Sequence, residues 1–324
     1  MTMGIPGFSR RAVLVAFGVA VVLAVVLKVA GMWNARRSPV VQLEAGFWPK
    51  RIVMSREGDM LYAAGGKLIR CWRIPSGEQV WTAPATEGVQ HIDLEATGAL
   101  LAVLDGQSIR LIDPISGVER RQLGPVGPWV FMLAFSPDGK TLLSAGTQAT
   151  LWDVASGSVV WTSQEFSATN AAFSPDGRWI ASGSSYNEVT VWNAANGSPS
   201  VKIIEPRPGV TCVCFSPDSK SVGVGPIGGA GFAIWGIDGR ERWRLANDGS
   251  GPAAFSPDGN TVAVAGHNSQ AIWFHDARDG RAKSSVAVPH CCVTASVCFS
   301  ANGRYFAATD GSGSILVWRR GGRW

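Results

Sequence analysis

Charged side chains and histidines are scarce in this 324-residue sequence: 16% of the residues are charged, and only four are histidine. The usual arrangements of catalytic residues are also missing, since no Ser-His-Asp order, paired carboxylates or HExxH motif occurs in a supporting context. Most acidic residues fall in turns instead, among them Asp138, Asp176, Asp218 and Asp258. We therefore expect a protein that is not an enzyme and that carries no cofactor.

Acidic residues are absent from positions 1–37, whereas basic residues are present there, namely Arg10, Arg11, Lys28, Arg36 and Arg37. The remainder of the chain has equal numbers of basic and acidic residues, so the net charge of +5 arises within this first stretch. A neutral remainder has no bulk electrostatic attraction for a phosphate backbone. We therefore expect no nucleic-acid partner.

A long apolar stretch at positions 12–33, AVLVAFGVAVVLAVVLKVAGMW, follows a basic tail at 1–11. A helix of about this length crosses roughly 30 Å of hydrocarbon. Lys28 can extend towards the lipid headgroups, and Trp33 suits the membrane interface. The sequence thus predicts a single-pass transmembrane segment, a signal anchor, over 12–33, and a short linker over 34–39.

A cleaved export signal is the alternative for the same stretch. Ser9-Arg10-Arg11 resembles a twin-arginine signal, and Val29-Ala30-Gly31 resembles a cleavage site. Arg36-Arg37 after the stretch favours a cytoplasmic C-terminal domain, because cytoplasmic flanks are rich in Lys and Arg. A short N-terminus ahead of one hydrophobic segment commonly stays inside, however, and we expect the C-terminal domain outside the cytoplasm.

The six cysteines do not form a disulfide framework. Cys212 and Cys214 are two residues apart on one predicted strand, too far along it for a relaxed bridge. Cys71 and Cys298 fall within strand patterns and are predicted to be small core residues. The cysteines leave the cellular compartment open.

A five-residue motif recurs seven times and divides the rest of the chain into repeats. Successive copies are 38 to 44 residues apart, the length of a four-stranded propeller blade. In each repeat apolar residues end a first strand and a Pro-Asp-Gly type of turn reverses the chain. The copies are FSPDG at Phe135, Phe173 and Phe255, FSPDS at Phe215, FSANG at Phe299, and the weaker MSREG at Met54 and LEATG at Leu94.

A second dipeptide stands 17 to 20 residues after the start of each motif, at the end of the third predicted strand. These dipeptides are Trp72-Arg73, Ile112-Asp113, Trp152-Asp153, Trp192-Asn193, Trp235-Gly236, His275-Asp276 and Trp318-Arg319. The combination resembles the WD40 repeat family over about residues 40–324, and with the anchor it resembles a membrane-bound, bacterial member. The Gly-His dipeptide that commonly opens a WD40 repeat is missing, which puts the family's His–Asp hydrogen bonds in doubt.

The resemblance implies an all-β fold, a seven-bladed β-propeller over 40–324. The last repeat has no room for its fourth strand before Trp324, and Val40-Val41-Gln42-Leu43 is a spare strand before the first repeat. We expect residues 40–44 to pair with the last blade, because this pairing removes two open sheet edges.

Few residues are candidate ligands for a metal or a nucleotide. His267 and His290 fall in predicted loops on one face, next to Cys291 and Cys292, and form a weak candidate metal site. His275 aligns with the third-strand tryptophans and is predicted to pack within its blade. Gly223–Gly228 matches GxGxxG, but a strand rather than a helix follows, so no nucleotide site is expected.

Two functions remain open. Loops that precede each first strand carry Trp48, Trp129 and Arg207, and Tyr186 lies in a turn on the same face; aromatics and Arg favour a protein-binding surface. We therefore expect a non-catalytic interaction scaffold that binds protein partners and is held at a membrane. The alternative is a propeller enzyme or cofactor- or metal-binding protein, because Trp81, Trp161 and Trp243 on predicted outer strands resemble those of quinoprotein propellers.

Overall fold

The computed structural model describes residues 38–166, 168–206, 209–226, 231–245, 251–266, 270–289 and 295–321. The predicted tail, the transmembrane segment and the linker up to residue 37 lie outside these ranges. Within the described residues, no helix is long and apolar enough to span a membrane.

The described residues fold into seven four-stranded antiparallel sheets, the blades. Within each blade we call the strands a to d, from the centre of the ring outwards. Blade 1 contains β2 (Arg51–Met54), β3 (Met60–Gly65), β4 (Leu68–Arg73) and β5 (Gln79–Pro84). Blade 2 contains β6 (Val89–Leu94), β7 (Leu101–Asp105), β8 (Ser108–Ile112) and β9 (Glu119–Leu123). Blade 3 contains β10 (Val130–Phe135), β11 (Thr141–Gly146), β12 (Ala149–Asp153) and β13 (Val159–Ser163).

The remaining blades repeat this order. Blade 4 contains β14 (Asn170–Phe173), β15 (Trp179–Gly183), β16 (Glu188–Asn193) and β17 (Pro199–Ile204). Blade 5 contains β18 (Val210–Phe215), β19 (Ser221–Pro226), β20 (Ala233–Gly236) and β21 (Glu241–Arg244). Blade 6 contains β22 (Ala253–Phe255), β23 (Thr261–Ala265), β24 (Ala271–Asp276) and β25 (Ala282–Ala287). Blade 7 contains β26 (Val297–Phe299), β27 (Tyr305–Thr309), β28 (Ser314–Arg319) and, from the other end of the chain, β1 (Val41–Glu44).

The position of a strand in its blade follows from its sequence. The second strand of blade 2, β7, reads LAVLD and is buried at every position, because neighbouring blades cover both of its faces. The fourth strand, β9, reads ERRQL and buries only Leu123. In blade 2 the apolar run therefore forms a buried inner strand, and the charged sequence forms the outer edge.

The recurring motif makes the turn between strands a and b. In blade 3 the Ser136 hydroxyl donates to Asp138 Oδ1 (2.7 Å), and the amide of Thr141 donates to Ser136 Oγ (3.0 Å). Gly139 adopts a φ of 69°, which L side chains rarely adopt. The same Ser–Asp contact recurs at Ser174–Asp176, Ser216–Asp218 and Ser256–Asp258. The motif is thus a self-contained turn, which explains why it recurs without regard to its surroundings.

The ring closes through β1. Val41 lies opposite Val317 and Leu43 opposite Ile315, so β1 forms the outer strand of blade 7. This is the place at which a spare strand was expected over 40–44, and the observed strand is Val41–Glu44. Leu43 is 3% exposed and packs in one apolar cluster with Ile52 and Trp72 of blade 1. Closure therefore joins the beginning of the ring to its last blade.

The third-strand tryptophans pack inside their blades. The indoles of Trp152 and Trp192 donate to Ser144 Oγ (2.9 Å) and Ser182 Oγ (2.8 Å) on the neighbouring strand. His275 lies opposite Val262, the register position that Trp318 occupies opposite Phe306, and it is buried. The Trp–Ser pairs thus occur although no repeat opens with a Gly-His dipeptide.

Candidate functional site

The two faces of the ring are defined by its connections. Loops that lead from strand d into the next strand a lie on the same face as the turns between strands b and c, here called the top face. The amides of Ala85 and Ala168 in such loops donate to the carbonyls of Lys67 (2.9 Å) and Gly146 (2.7 Å) at the b–c turns. The a–b and c–d turns form the opposite, bottom face.

Three large aromatic side chains in the described loops and turns of the top face are exposed. Trp48 is 62% exposed, Trp129 is 63% exposed and Tyr186 is 73% exposed. They belong to blades 1, 3 and 4, and two of them precede strand a of their blade. The fourth residue predicted for this surface, Arg207, lies outside the described residues. The structure thus places the three described aromatics on one face of the ring.

Trp48 and Trp129 are held by the same backbone arrangement. A Cβ atom on Gly65, the last residue of β3, would lie 2.0 Å from the carbonyl oxygen of Trp48. A Cβ on Gly146, the last residue of β11, would lie 1.6 Å from that of Trp129. Only glycine leaves room for the loop to cross the end of strand b so closely. The two indoles therefore project from equivalent, constrained positions.

The inner strands surround a cavity of about 600 Å³ at the centre of the ring, here called the channel. Its lining includes Arg51, Asn170, Cys212 and Cys298. Side chains of one blade bond the free edge of the next strand a. Asp93 Oδ2 accepts from the amide of Phe135 (2.7 Å). His91 Nδ1, Ser296 Oγ and Cys212 Sγ accept from the amides of Leu133, Ile52 and Ala253 at 3.3 Å each.

Burial shifts the pKa of several side chains on the inner strands. It raises the pKa of Asp93 to about 6, although the amide of Phe135 and the charge of Arg51 act in the opposite direction. Burial likewise lowers the pKa of His91 and raises that of the Cys298 thiol to about 12. His91 is therefore neutral and Cys298 remains a thiol at physiological pH. The sequence offered one signal for this lining, the polar residues within the otherwise apolar strand β6.

The described residues contain no metal site. The candidate ligands His267, His290, Cys291 and Cys292 all lie outside the described residues. Within the described part of the chain, no three His, Cys, Asp or Glu side chains are grouped to hold a metal ion. Cys71, Cys212, Cys214 and Cys298 are free thiols.

The outer-strand tryptophans that suggested a quinoprotein have a structural role. Trp81 Nε1 donates to the carbonyl of Pro114 (2.9 Å), Trp161 to Ala194 (3.0 Å) and Trp243 to Ala277 (3.0 Å), each in the next blade. The outer strands carry them as predicted. Their hydrogen bonds dock one blade on the next.

A buried acid that the sequence did not reveal lies between blades 4 and 5. Glu205 is 0% exposed and accepts hydrogen bonds from Trp235 Nε1 (2.7 Å) and Arg244 Nη1 (2.9 Å). Glu205 thus replaces the serine that bonds the third-strand tryptophan in blades 3 and 4. Its only signal in the sequence is an isolated acid after an apolar strand.

These features define a class of protein: a closed seven-bladed β-propeller with an aromatic-bearing top face. The WD40 family model, described as WD domain, G-beta repeat, matches residues 157–193 and 284–319. The model thus matches two stretches of the chain, within the region where the repeated motifs predicted WD40 repeats.

Two relatives and one solved structure are similar to this chain. The Protein LST8 homolog of Drosophila melanogaster is 22% identical over 57% of this chain and 63% of its own length. Protein groucho of the same organism is 28% identical over 56% of this chain and 26% of its own length. A chain in the crystal structure of the mitotic checkpoint complex superposes with a TM-score of 0.77 at 18% identity, covering 88% of this chain and 92% of that one.

The chain spans less than two thirds of the length of both relatives. Neither the two relatives nor the solved complex bears the name of an enzyme. Both relatives are from an insect, so they lend no support to a bacterial origin.

Proposed function

We propose that this chain is a non-enzymatic interaction platform, whose protein partner docks on the top face around Trp48, Trp129 and Tyr186. The observation that carries the proposal is the exposure of these three side chains on one face, at 62%, 63% and 73%. Large aromatics are over-represented among the residues that dominate binding energy, because they bury much apolar area with few rotatable bonds.

The rigidity of the ring supports this function. The β-sheet framework fixes the loops that bear the aromatics, and the close carbonyl contacts at Gly65 and Gly146 restrain the two tryptophan loops. A pre-organised surface loses little conformational entropy on binding. One similar solved structure is that of a multiprotein complex, which is the setting a platform of this kind requires.

The proposal includes attachment to a membrane through residues 12–33. The apolar stretch has the length and the flanking residues of a transmembrane segment, and basic residues flank it on both sides. The propeller then lies outside the cytoplasm, since a short basic N-terminus ahead of a single segment commonly remains inside.

Site-specific photo-crosslinking tests where the partner docks. A photoreactive phenylalanine derivative replaces Trp48 in one form of the full chain and Ile115 in another. Ile115 is a matched control because it is 78% exposed but lies in a c–d turn on the bottom face. We expect a defined crosslinked protein from position 48 and none from position 115. Crosslinking from position 115 alone would contradict a top-face platform.

A further inference from the structure

We infer that the docking segment of the partner is acidic and that it binds across a basic corner of the top face, formed by Lys50, Arg51, Lys67 and Arg70 of blade 1. The inference rests on the proposed function, because it specifies the chemistry of the partner that the platform binds.

The four cations gather around one loop. Lys50 precedes β2, Arg51 is its first residue, and Lys67 lies in the turn between β3 and β4. Arg70 on β4 reaches under the same loop: its Nη1 is 3.2 Å from the Cβ position of Gly46, and its guanidinium carbon is 5.9 Å from the ring centre of Phe47. The exposed indole of Trp48 belongs to this loop. Positive charge and an aromatic surface therefore meet on one blade.

The basic corner lacks carboxylate partners. Over the described ranges, none of its four side chains forms an ion pair, and the Nε atoms of Arg51 and Arg70 are buried without a hydrogen-bond partner. Comparable half-buried arginines elsewhere in the ring are paired. They are Arg110 with Glu119 (2.6 Å), Arg244 with Glu205 (2.9 Å) and Arg320 with Asp258 (2.7 Å). A guanidinium that is partly desolvated and lacks an ion-pair partner binds a carboxylate ligand strongly.

The nearby acids are occupied by other groups. Glu44 accepts from Ser314 (3.1 Å), and Asp105 accepts from the amides of Thr86 (2.8 Å) and Glu87 (2.9 Å). The carboxylate of Glu87 lies against Gly106 in blade 2, since a Cβ there would be 2.0 Å from its Oε2.

The charge of Arg51 also acts on Asp93, where it offsets part of the rise in pKa that burial causes. Its Oδ2 accepts from the amide of Phe135 (2.7 Å), and no ion pair joins it to Arg51 within the described residues. The positive charge of the corner is therefore left for a ligand to neutralise.

Arg51 is the central member of the site because it also lines the channel of about 600 Å³. A carboxylate that enters the mouth of the channel can bond its guanidinium with two parallel N–H···O contacts. Lys50 and Lys67 are exposed and attract the acidic segment from a distance. An acidic peptide fits better than a nucleic acid, because the cations are confined to one blade and the chain beyond residue 37 is neutral.

The test uses three fluorescein-labelled peptides of equal length, each with one Leu and one Trp, whose other positions are all Glu, all Gln or all Lys. Fluorescence anisotropy measures their binding to the full chain in detergent. We expect the Glu peptide to bind at least about tenfold more tightly than the Gln peptide and the Lys peptide not to bind. Its affinity should fall as salt is raised, because ions screen the exposed lysines.

Matched variants locate the binding. Arg51→Gln, and separately the pair Lys50→Gln and Lys67→Gln, should each weaken binding of the Glu peptide severalfold. Arg51→Lys should recover part of the Arg51 effect, since it restores the charge without the planar fork. The control pair Lys140→Gln and Lys220→Gln removes exposed charges from bottom-face turns and should leave affinity unchanged. The substituted lysines are all exposed, so these changes should not destabilise the fold.

Several results would overturn the inference. Equal binding of the Glu and Gln peptides would remove the acidic specificity, and loss of binding in the control pair would place the site elsewhere. Tighter, corner-dependent binding of a labelled single-stranded RNA or of anionic-lipid vesicles would assign the corner to those ligands. If a partner is crosslinked from position 48 equally well in the native chain and in the corner variants, the top-face platform is supported. Only the inference that the docking segment is acidic would then be overturned.

Discussion

The indole of Trp81, on the outer strand of blade 1, donates a hydrogen bond of 2.9 Å to the carbonyl of Pro114 in blade 2. Beneath this indole lies Gly117, whose φ is 73° and whose Cβ position is 2.8 Å from Trp81 Cδ2. Trp161 over Gly197 and Trp243 over Gly280 repeat the arrangement between blades 3 and 4 and between blades 5 and 6. Three junctions of the ring are thus held by the same contact.

Replacing the glycine beneath an indole should weaken that junction. Gly117→Ala places a methyl group against Trp81 in addition to straining the backbone, and we expect about 2–3 kcal/mol of destabilisation. Gly98→Ala is the matched control, because Gly98 has a φ of 78° but nothing within 4 Å of its Cβ position. Urea unfolding measures both. Equal losses for the two variants would show that the indole contact is unimportant.

Closure of the ring depends on the packing of β1. Leu43→Ala removes a side chain that is 3% exposed and should destabilise the protein by about 2–4 kcal/mol. Val40→Ala, at a residue that is 45% exposed, should change stability by less than about 0.5 kcal/mol. Thermal unfolding distinguishes the two. If they melt alike, β1 is not an integral strand of blade 7.

Asp93 should make stability depend on pH. Its pKa in the folded ring is about 6, above the ordinary value of 3.8, so the folded chain retains the proton after the unfolded chain has lost it. Its contribution to the free energy of unfolding is therefore greatest below pH 4 and falls as pH rises from about 4 to about 6. Asp93→Asn keeps an acceptor for the amide of Phe135 and removes the charge.

The Asp93→Asn variant should thus be more stable than the native chain at pH 7, by about 1–2 kcal/mol, with the gain disappearing near pH 4. Urea unfolding of both proteins across this range measures the difference and cancels the contributions of all other groups. A gain that is constant with pH would contradict the raised pKa.

The repeats, the blade number and the strand order were predictable because their determinants are local. The turn motif is completed within six residues, from Ser136 to Thr141, and the third-strand Trp152 bonds Ser144 in the same hairpin. Seven copies in phase specify the same blade seven times. The propeller fold was therefore confirmed, and the WD40 family model matches two of the predicted stretches of repeat.

The channel and the basic corner were not predictable, since their contacts join residues that are far apart in sequence. His91 bonds the amide of Leu133, 42 residues away, and Glu205 pairs with Arg244, 39 residues away. The sequence distinguishes apolar from polar positions. It does not indicate which arginine meets an acid, so the unpaired state of Arg51 emerges only in three dimensions.

The proposed membrane orientation is tested with two reporters fused after Trp324, one active only outside the cytoplasm and one active only inside. We expect activity from the outside reporter, because the short basic N-terminus should stay in the cytoplasm. Activity of the inside reporter alone would place the propeller in the cytoplasm. The same fusions lacking residues 1–33 serve as the control and should lose the outside signal.

The platform hypothesis is tested most directly with the partner protein that crosslinking identifies. Its binding affinity is measured for the native chain and for a top-face variant. Trp48→Ala, Trp129→Ala and Tyr186→Ala combined remove the exposed aromatics of one face. The control combines Ile115→Ala, Val118→Ala and Val159→Ala, which remove exposed apolar side chains from the bottom face and the outer strands. Isothermal titration calorimetry should show at least about tenfold weaker binding for the top-face variant and native affinity for the control. Native affinity of the top-face variant would contradict the proposed function.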